Sequence, residues 1–182
     1  MIEHEIKYML TAEQYEHILR LFSVKSTVVQ TNYYYDTEDL DMNKRGITCR
    51  IREKNDSYVA TVKQHLGGFE SLEMSQVLQS LLDDSLFTGK KLKRWGNLTT
   101  ERACVSEENE MIVFLDKNSY LGVIDYELEI EYPPGMIKCA KRVAKKLFQL
   151  TNVQVEGNEM VNSESKAQRF FKRVRVNKEG KD

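Results

Sequence analysis

Polar and hydrophobic residues alternate with a period of two along much of the chain. The clearest case is Val123–Tyr132, where Asp125, Glu127, Glu129 and Glu131 are interleaved with Tyr126, Leu128, Ile130 and Tyr132. Successive side chains of a strand point to opposite faces, so this segment has one acidic face and one apolar face. The opening residues place Glu3, Glu5 and Lys7 on one face, and Ile47–Lys54 sets Arg50, Arg52 and Lys54 opposite Cys49, Ile51 and Glu53. Strand patterns also cover Thr31–Asp36, Ser57–His65, Phe69–Val77, Leu98–Val105 and Met111–Asp116, with turn signals at Asn55-Asp56, Gly67-Gly68 and 107–109 between them. Helical spacing is rarer. Thr11-Ala-Glu-Gln14 is a capping box ahead of Tyr15, Ile18, Leu19 and Phe22, which predicts a helix over 11–23. Met136–Leu150 follows Pro133-Pro134, and Ser163–Val174 has Ser163 as its predicted N-cap. Roughly eight strands with few helices predict an α+β fold, an eight-stranded antiparallel β-barrel or a strongly curved sheet, with surrounding helices.

Composition narrows the reading. With 182 residues and 41% hydrophobic content, the chain can bury one core, and it contains no repeat or linker-like stretch, so one domain over 1–182 is expected. Lys plus Arg number 27 and Asp plus Glu 28, so no whole-molecule attraction to nucleic acid or an anionic membrane is expected, and strong fields must be local. Cys49, Cys104 and Cys139 form no CxxC and cannot all pair, which fits a reducing compartment. Acids from position 3 onward do not suit a signal peptide, and no apolar run approaches the roughly 20 residues of a membrane helix. A cytoplasmic protein acting on a small molecule is expected. His4, His17 and His65 are scattered and make no zinc pattern.

The charged faces are segregated by sign, and like charges at every second position of one strand repel unless cations sit opposite. A closed eight-stranded barrel has a lumen able to hold one small ligand. If the charged faces point inward, that lumen offers carboxylates to a divalent metal and a ring of Arg and Lys to a polyanion. Glu3, Glu5, Lys7, Arg50, Arg52, Glu127 and Glu129 are then expected to line one cavity. Leu128 and Ile130 are expected outside the wall, beneath the helix at 136–150. Neutralising Glu129 is expected to relieve repulsion and leave the fold intact or steadier.

Glu3-x-Glu5-x-Lys7, Arg50-Ile-Arg52, Thr61-Val-Lys63, Thr100-Glu-Arg102, Glu127-Leu-Glu129 and Ser165-Lys166 occur in the order found in the CYTH superfamily, the triphosphate tunnel metalloenzymes, which the chain resembles from residue 3 to about 170. The resemblance is to the Firmicutes branch labelled as adenylate cyclases. It implies Glu3, Glu5, Glu127 and Glu129 as metal carboxylates, with Asp116 and Glu131 as further or water-mediated ligands for Mg²⁺ or Mn²⁺. It also implies Lys7, Arg50, Arg52, Lys63, Arg102 and Lys166 as the grip on a triphosphate, and adds Lys63 and Arg102 to the residues expected to line the cavity. Glu73 holds the strand position of a further lumen acid, with Glu70 nearby. Tyr34 matches a tyrosine that, with the lysine of the opening motif, is proposed to activate water in thiamine triphosphatases, so Lys7 and Tyr34 are the catalytic candidates. Lys90–Arg94 reads as surface; Arg169 and Arg173, one and two helical turns after Lys166, can share its face but are also read as surface.

The implied activity is metal-dependent hydrolysis of an inorganic or organic triphosphate such as tripolyphosphate or ATP. Class IV adenylate cyclase chemistry is the alternative, followed by thiamine triphosphatase or a non-catalytic nucleotide or polyphosphate-binding module. Thr48 stands where mammalian thiamine triphosphatases carry a stacking tryptophan, which disfavours thiamine triphosphate. No nucleic-acid or membrane partner is implied, and a homodimer is compatible.

Overall fold

A computed structural model describes residues 2–67, 69–81, 87, 89, 91–108, 110–152 and 164–179. In chain order the elements are β1 (Ile2–Leu10), α1 (Ala12–Leu21), β2 (Ser26–Asp36), α2 (Asp41–Lys44), β3 (Ile47–Lys54), β4 (Ser57–Gly67), β5 (Glu70–Leu78), β6 (Lys93–Glu108), β7 (Met111–Tyr120), β8 (Val123–Glu131), α3 (Ile137–Thr151) and α4 (Lys166–Glu179). The strands close into an antiparallel barrel in the order β1-β5-β4-β3-β2-β6-β7-β8. Among the described residues no helix is long and apolar enough to cross a membrane.

Register carries the alternation of each strand into its neighbour. Lys7 pairs with Glu129, Glu127 with Asp116, and Asp116 with Arg102. Asn32 pairs with Arg52, Arg50 with Thr61, and Lys63 with Glu73. A slip by one residue would exchange the two faces, so the charged faces turn inward together. The apolar faces pack outside. Ile6, Leu115, Leu128 and Ile130 join Tyr15 and Ile18 of α1 and Ala140, Ala144 and Leu147 of α3 in one buried cluster, as expected for Leu128 and Ile130. A second outer cluster holds Tyr35, Cys49, Ile51 and Ala60 under Phe87 and Leu92.

The third cluster positions the site. Phe170 and Phe171 of α4 pack on Tyr34, Leu98 and Tyr120, with ring centroids 4.8 Å (Tyr34–Phe170) and 5.8 Å (Tyr34–Phe171) apart. Tyr34, Leu98 and Tyr120 lie on the inward parity of their strands, so α4 closes one end of the barrel. Gly96 makes room for it: its φ is +148°, and a Cβ there would lie 3.1 Å from the Phe170 ring.

Several boundaries depart from the sequence pattern. β2 begins at Ser26 and β6 runs from Lys93 to Glu108, because the two pair along all of β2, from Ser26↔Cys104 to Asp36↔Lys93. Neither extension alternates cleanly in hydropathy. The short α2 has no periodicity to read. Asp36 fixes it, accepting hydrogen bonds from the amides of Thr37, Met42 and Asn43. The predicted cap Ser163 lies outside the described residues. Ser165 caps α4 instead: its hydroxyl accepts from the Gln168 amide at 3.2 Å, and the Gln168 side chain accepts from the Ser165 amide at 2.7 Å.

Phe170 is fully buried, and its loss would leave a cavity between three rings. Phe170→Ala is expected to cost about 3–5 kcal/mol in urea denaturation. A loss below about 1 kcal/mol would mean that α4 does not plug the barrel.

Candidate functional site

One wall of the lumen comes from β6, β7, β8 and β1, the other from β3 and β4. Glu3, Glu5, Lys7, Arg50, Arg52, Lys63, Arg102 and Glu129 border a central cavity of about 60 Å³, together with Tyr34, Glu131 and Lys166. Of the nine residues expected there, Glu127 is the exception. It is fully buried, sealed from the cavity behind Lys166 and Arg169, as is Asp116 behind Lys166 and Arg102. Glu73 faces the lumen from β5 at 3.5 Å from Arg50, whereas Glu70 lies on the outside beside His4.

The acids are held by ion pairs that cross the lumen. Lys63 Nζ lies 2.5 Å from Glu3 and 3.0 Å from Glu5, and Lys7 Nζ lies 2.5 Å from Glu5. Arg102 donates a fork to Asp116 at 2.8 and 2.7 Å, reaches Glu129 at 2.7 Å, and stacks 4.3 Å above the Phe114 ring. Lys166 Nζ lies 2.7 Å from Asp116 and 2.9 Å from Glu129, and also contacts Glu127. Carboxylate oxygens of Asp116, Glu127 and Glu129 all lie within 4.8 Å of one another, an all-oxygen set suited to a hard divalent cation. Glu3 and Glu5 stand outside this trio, tied to Lys63 and Lys7.

Protonation follows from this arrangement. Burial alone would raise the Glu5 carboxyl, but Lys7 and Lys63 override it and hold it down at about 2 despite nearby Glu129. Glu129 also resists burial, with Arg102, Lys166 and Lys7 keeping it well below the ordinary carboxylate range. Glu131 goes the other way: burial and the neighbouring Glu129 push it up to about 7, with Arg102 opposing. On the cationic wall, Arg52 donates to Asn32 at 3.0 Å, and burial with Arg50 and Arg102 nearby pushes its guanidinium down to about 10. That group is short of negative charge. Burial raises the Tyr34 phenol although Arg50 and Lys166 pull it back, and its hydroxyl has no hydrogen-bond partner among the described residues.

Sequence reasoning missed four participants. Arg169, read as surface, has a side chain only 10% exposed, lying 2.8 Å from Asp125 and 2.7 Å from Glu127. Its position three residues after Lys166 was a usable signal, since i and i+3 share a helix face. Asp125 collects Arg169, Tyr120 and Asn118. His65 borders the cavity, with burial and Lys63 lowering its pKa, and Ser165 borders it at the start of α4. Arg173 is half-buried rather than on the surface. Lys93 and Arg94 do lie outside, against Glu38 and Trp95 and against the Tyr33 ring; Lys90 is outside the described residues.

The family model described as CYTH domain matches residues 1–171. A Bacillus subtilis (strain 168) protein named "Putative triphosphatase YjbK" is 31% identical over 147 residues, 71% of this chain and 77% of that one. A Bacillus halodurans crystal structure titled as a "putative adenylate cyclase" is 27% identical, covers 93% of this chain and 97% of its own, and superposes with a TM-score of 0.72. A Hippeastrum structure, described as an adenylyl cyclase with a dominant triphosphatase activity, shares the fold at 19% identity and TM-score 0.71, covering 96% of each chain.

Pairing reverses the expectation for Glu129. Removing its charge takes one carboxylate from both Arg102 and Lys166, which keep Asp116 and Glu127, and so loses attraction rather than relieving repulsion. Glu129→Gln is expected to destabilise the metal-free protein by about 3 kcal/mol in urea denaturation. Unchanged or greater stability would restore the repulsion account.

Glu131 and Glu5 have opposite signs in pH. Glu131 titrates higher when folded, so its contribution is complete below its ordinary value of 4.5 and is lost as pH rises through about 7. Glu5 titrates lower, so its contribution is present above 4.5 and is lost as pH falls toward about 2. In chelator, Glu131→Gln is expected to flatten the decline in thermal midpoint between about pH 5 and 7. A decline as steep as in the wild type would remove Glu131 as its source.

Proposed function

The chain belongs to the CYTH domain family, and on that footing we propose that it is a divalent-metal-dependent hydrolase of triphosphates, with inorganic tripolyphosphate or a loosely selected organic triphosphate as substrate. The observation that carries this reading is the asymmetry of the lumen. The acids of one wall are matched by Lys7, Lys63, Arg102, Lys166 and Arg169, whereas on the facing wall Arg50 meets Glu73 alone, at 3.5 Å, and Arg52 has no salt bridge among the described residues. A polyanion between the walls supplies what Arg50 and Arg52 lack.

The donor set fits a metal. Asp116, Glu127 and Glu129 would hold it, with Glu3, Glu5 and Glu131 within the same lumen for a further ion or through water. When bound, Mg²⁺ or Mn²⁺ polarises phosphoryl oxygens and helps to neutralise the charge that builds on them. Arg50 and Arg52 offer planar forks to phosphate oxygens, and Lys63 and Lys166 offer point charges. Arg102 shares its fork between Asp116 and Glu129, so it grips substrate from the edge of the acid wall.

Water attacks the terminal phosphorus in line, the bridging P–O bond breaks, and orthophosphate leaves a diphosphate behind. Tyr34 borders the cavity, its hydroxyl is buried without a hydrogen-bond partner among the described residues, and burial holds it un-ionised. It is the candidate to orient the water by hydrogen bonding and does not serve as a phenolate base. Lys7, beside Glu5 and Glu129, stands where acid wall and substrate phosphate meet.

A cyclase must instead hold a ribose hydroxyl beside the α-phosphorus and exclude water. Among the described residues, the rings at the cavity are Tyr34 and His65, and Thr48 is buried at the position where a stacking aromatic would serve. Nothing there forms a nucleoside platform.

Orthophosphate release from tripolyphosphate in Mg²⁺ or Mn²⁺ is expected to exceed cyclic AMP formation from ATP under the same conditions, and EDTA is expected to abolish it. Arg52→Ala is expected to lower kcat/KM by roughly 10²–10³, the scale of losing one well-placed charge-stabilising donor. Cyclic AMP as the main product, or full activity in EDTA, would overturn the assignment.

A further inference from the structure

Charge in the deepest layer of the barrel is already largely compensated. Asp116, Glu127 and Glu129, with Asp125 behind them, are in contact with Lys166, Arg102 and Arg169, four anions against three cations. The cations are not equivalent. Arg102 spans Asp116 and Glu129, and Arg169 spans Glu127 and Asp125 from behind. Among the described residues, Lys166 is the cation that touches all three acids of the trio, so its ammonium sits where their oxygens converge. An ammonium ringed by carboxylate oxygens makes there the contacts that a hard cation would make.

A divalent ion reaching that point meets oxygens engaged by Lys166 and adds two positive charges to a layer with one anion in excess, so it fits only if a cation leaves. The helix cannot withdraw to make space. Phe170 and Phe171 are fully buried, Arg169 is tied to Asp125 and Glu127, and Arg175 reaches Asn43 at 2.9 Å. The Lys166 side chain is freer: it has a flexible four-carbon stem, and it also borders the central cavity that Arg50 and Arg52 line.

We propose that Lys166 is a built-in counter-ion that competes with the divalent metal for Asp116, Glu127 and Glu129, and that metal binding transfers its ammonium from the acid trio to the polyanion side of the lumen. The inference rests on the metal-dependent reading above and concerns a separate property, the order and coupling of binding. Metal alone binds weakly because it must evict a cation, and a polyanion strengthens it by receiving that cation.

The test is calorimetric binding of Mn²⁺ alone, without substrate, to wild type and to Lys166→Met. The variant is expected to bind at least tenfold more tightly. Lys172→Met, which removes an exposed lysine of the same helix paired with Glu164, is expected to bind like wild type. An equal gain in Lys172→Met would overturn the proposal by showing a general charge effect. Equal or weaker binding by Lys166→Met, with wild type binding normally, would overturn this proposal alone. No Mn²⁺ binding by either protein would overturn it together with the metal-dependent reading.

Because the bared acid trio can unfold Lys166→Met, wild type provides a second measurement. The Lys166 Nζ resonance, assigned by its absence in Lys166→Arg, is expected to shift saturably as Mg²⁺ is added. A resonance unmoved at calorimetrically saturating Mg²⁺ would overturn the proposal.

Discussion

Charge compensation inside a closed barrel is the constraint on which the rest of this structure depends. Two like charges about 4 Å apart repel by roughly 4 kcal/mol at the effective dielectric of a protein interior. The trio of Asp116, Glu127 and Glu129, within 4.8 Å of one another, is therefore tenable only with cations among them. Those cations come from distant parts of the chain: Arg102 from β6, Lys166 and Arg169 from α4. The ion pairs thereby tie the C-terminal helix to the acid strand β8, and the apolar contacts of Phe170 and Phe171 with Tyr34 fix the depth at which it is held. Barrel closure, helix plug and site are consequences of one electrostatic requirement.

The faces of the strands were legible in the sequence because period two is a local signal that survives any strand order. Glu127-Leu-Glu129 and Arg50-Ile-Arg52 disclose their inward parity without reference to a neighbour. Strand ends were less legible. β2 and β6 outrun their hydropathy patterns because each is prolonged by hydrogen bonds to the other, and that information belongs to the pair. α2 depends on Asp36 reaching over several residues to its amides, a contact with no periodicity. The grouping of Asp116 with Glu127 and Glu129, apart from Glu3 and Glu5, depends on register and on which lysine each acid meets. Arg169 was misplaced for a related reason: a helix face with both Lys166 and Arg169 is amphipathic only with respect to a charged partner, and hydropathy scores such a face as solvent-exposed.

The same compensation shapes how the lumen can accept a ligand. Its ligand-free form is held by contacts from β4 to β1, Lys63 to Glu3 and Glu5, and by a contact along β1, Lys7 to Glu5. A triphosphate and its metal must replace these contacts with equivalent ones, cation to phosphate and carboxylate to metal, and the exchange approaches balance only when both arrive. Either alone leaves one wall with surplus charge. A lumen built in this way favours a metal-bound polyanion over free metal or free anion, and the preference arises from charge count without a pocket shaped to any organic group.

The arginine pair gives this selectivity its direction. Removing a guanidinium from water is costly, and the depressed pKa of Arg52 shows that the protein does not fully offset that cost in the ligand-free state. Arg50 and Arg52 face inward because Cys49 and Ile51, on the other parity of β3, are needed in the outer cluster with Tyr35, Phe87 and Leu92. Hydrophobic burial outside the wall thus holds underpaired cations inside it. Part of the folding free energy is kept as electrostatic deficit at the site, and an entering polyanion relieves it. Such a deficit is expected of a site that acts on triphosphates: an acid opposite each arginine would steady the empty barrel and weaken its grip on phosphate by the same interaction.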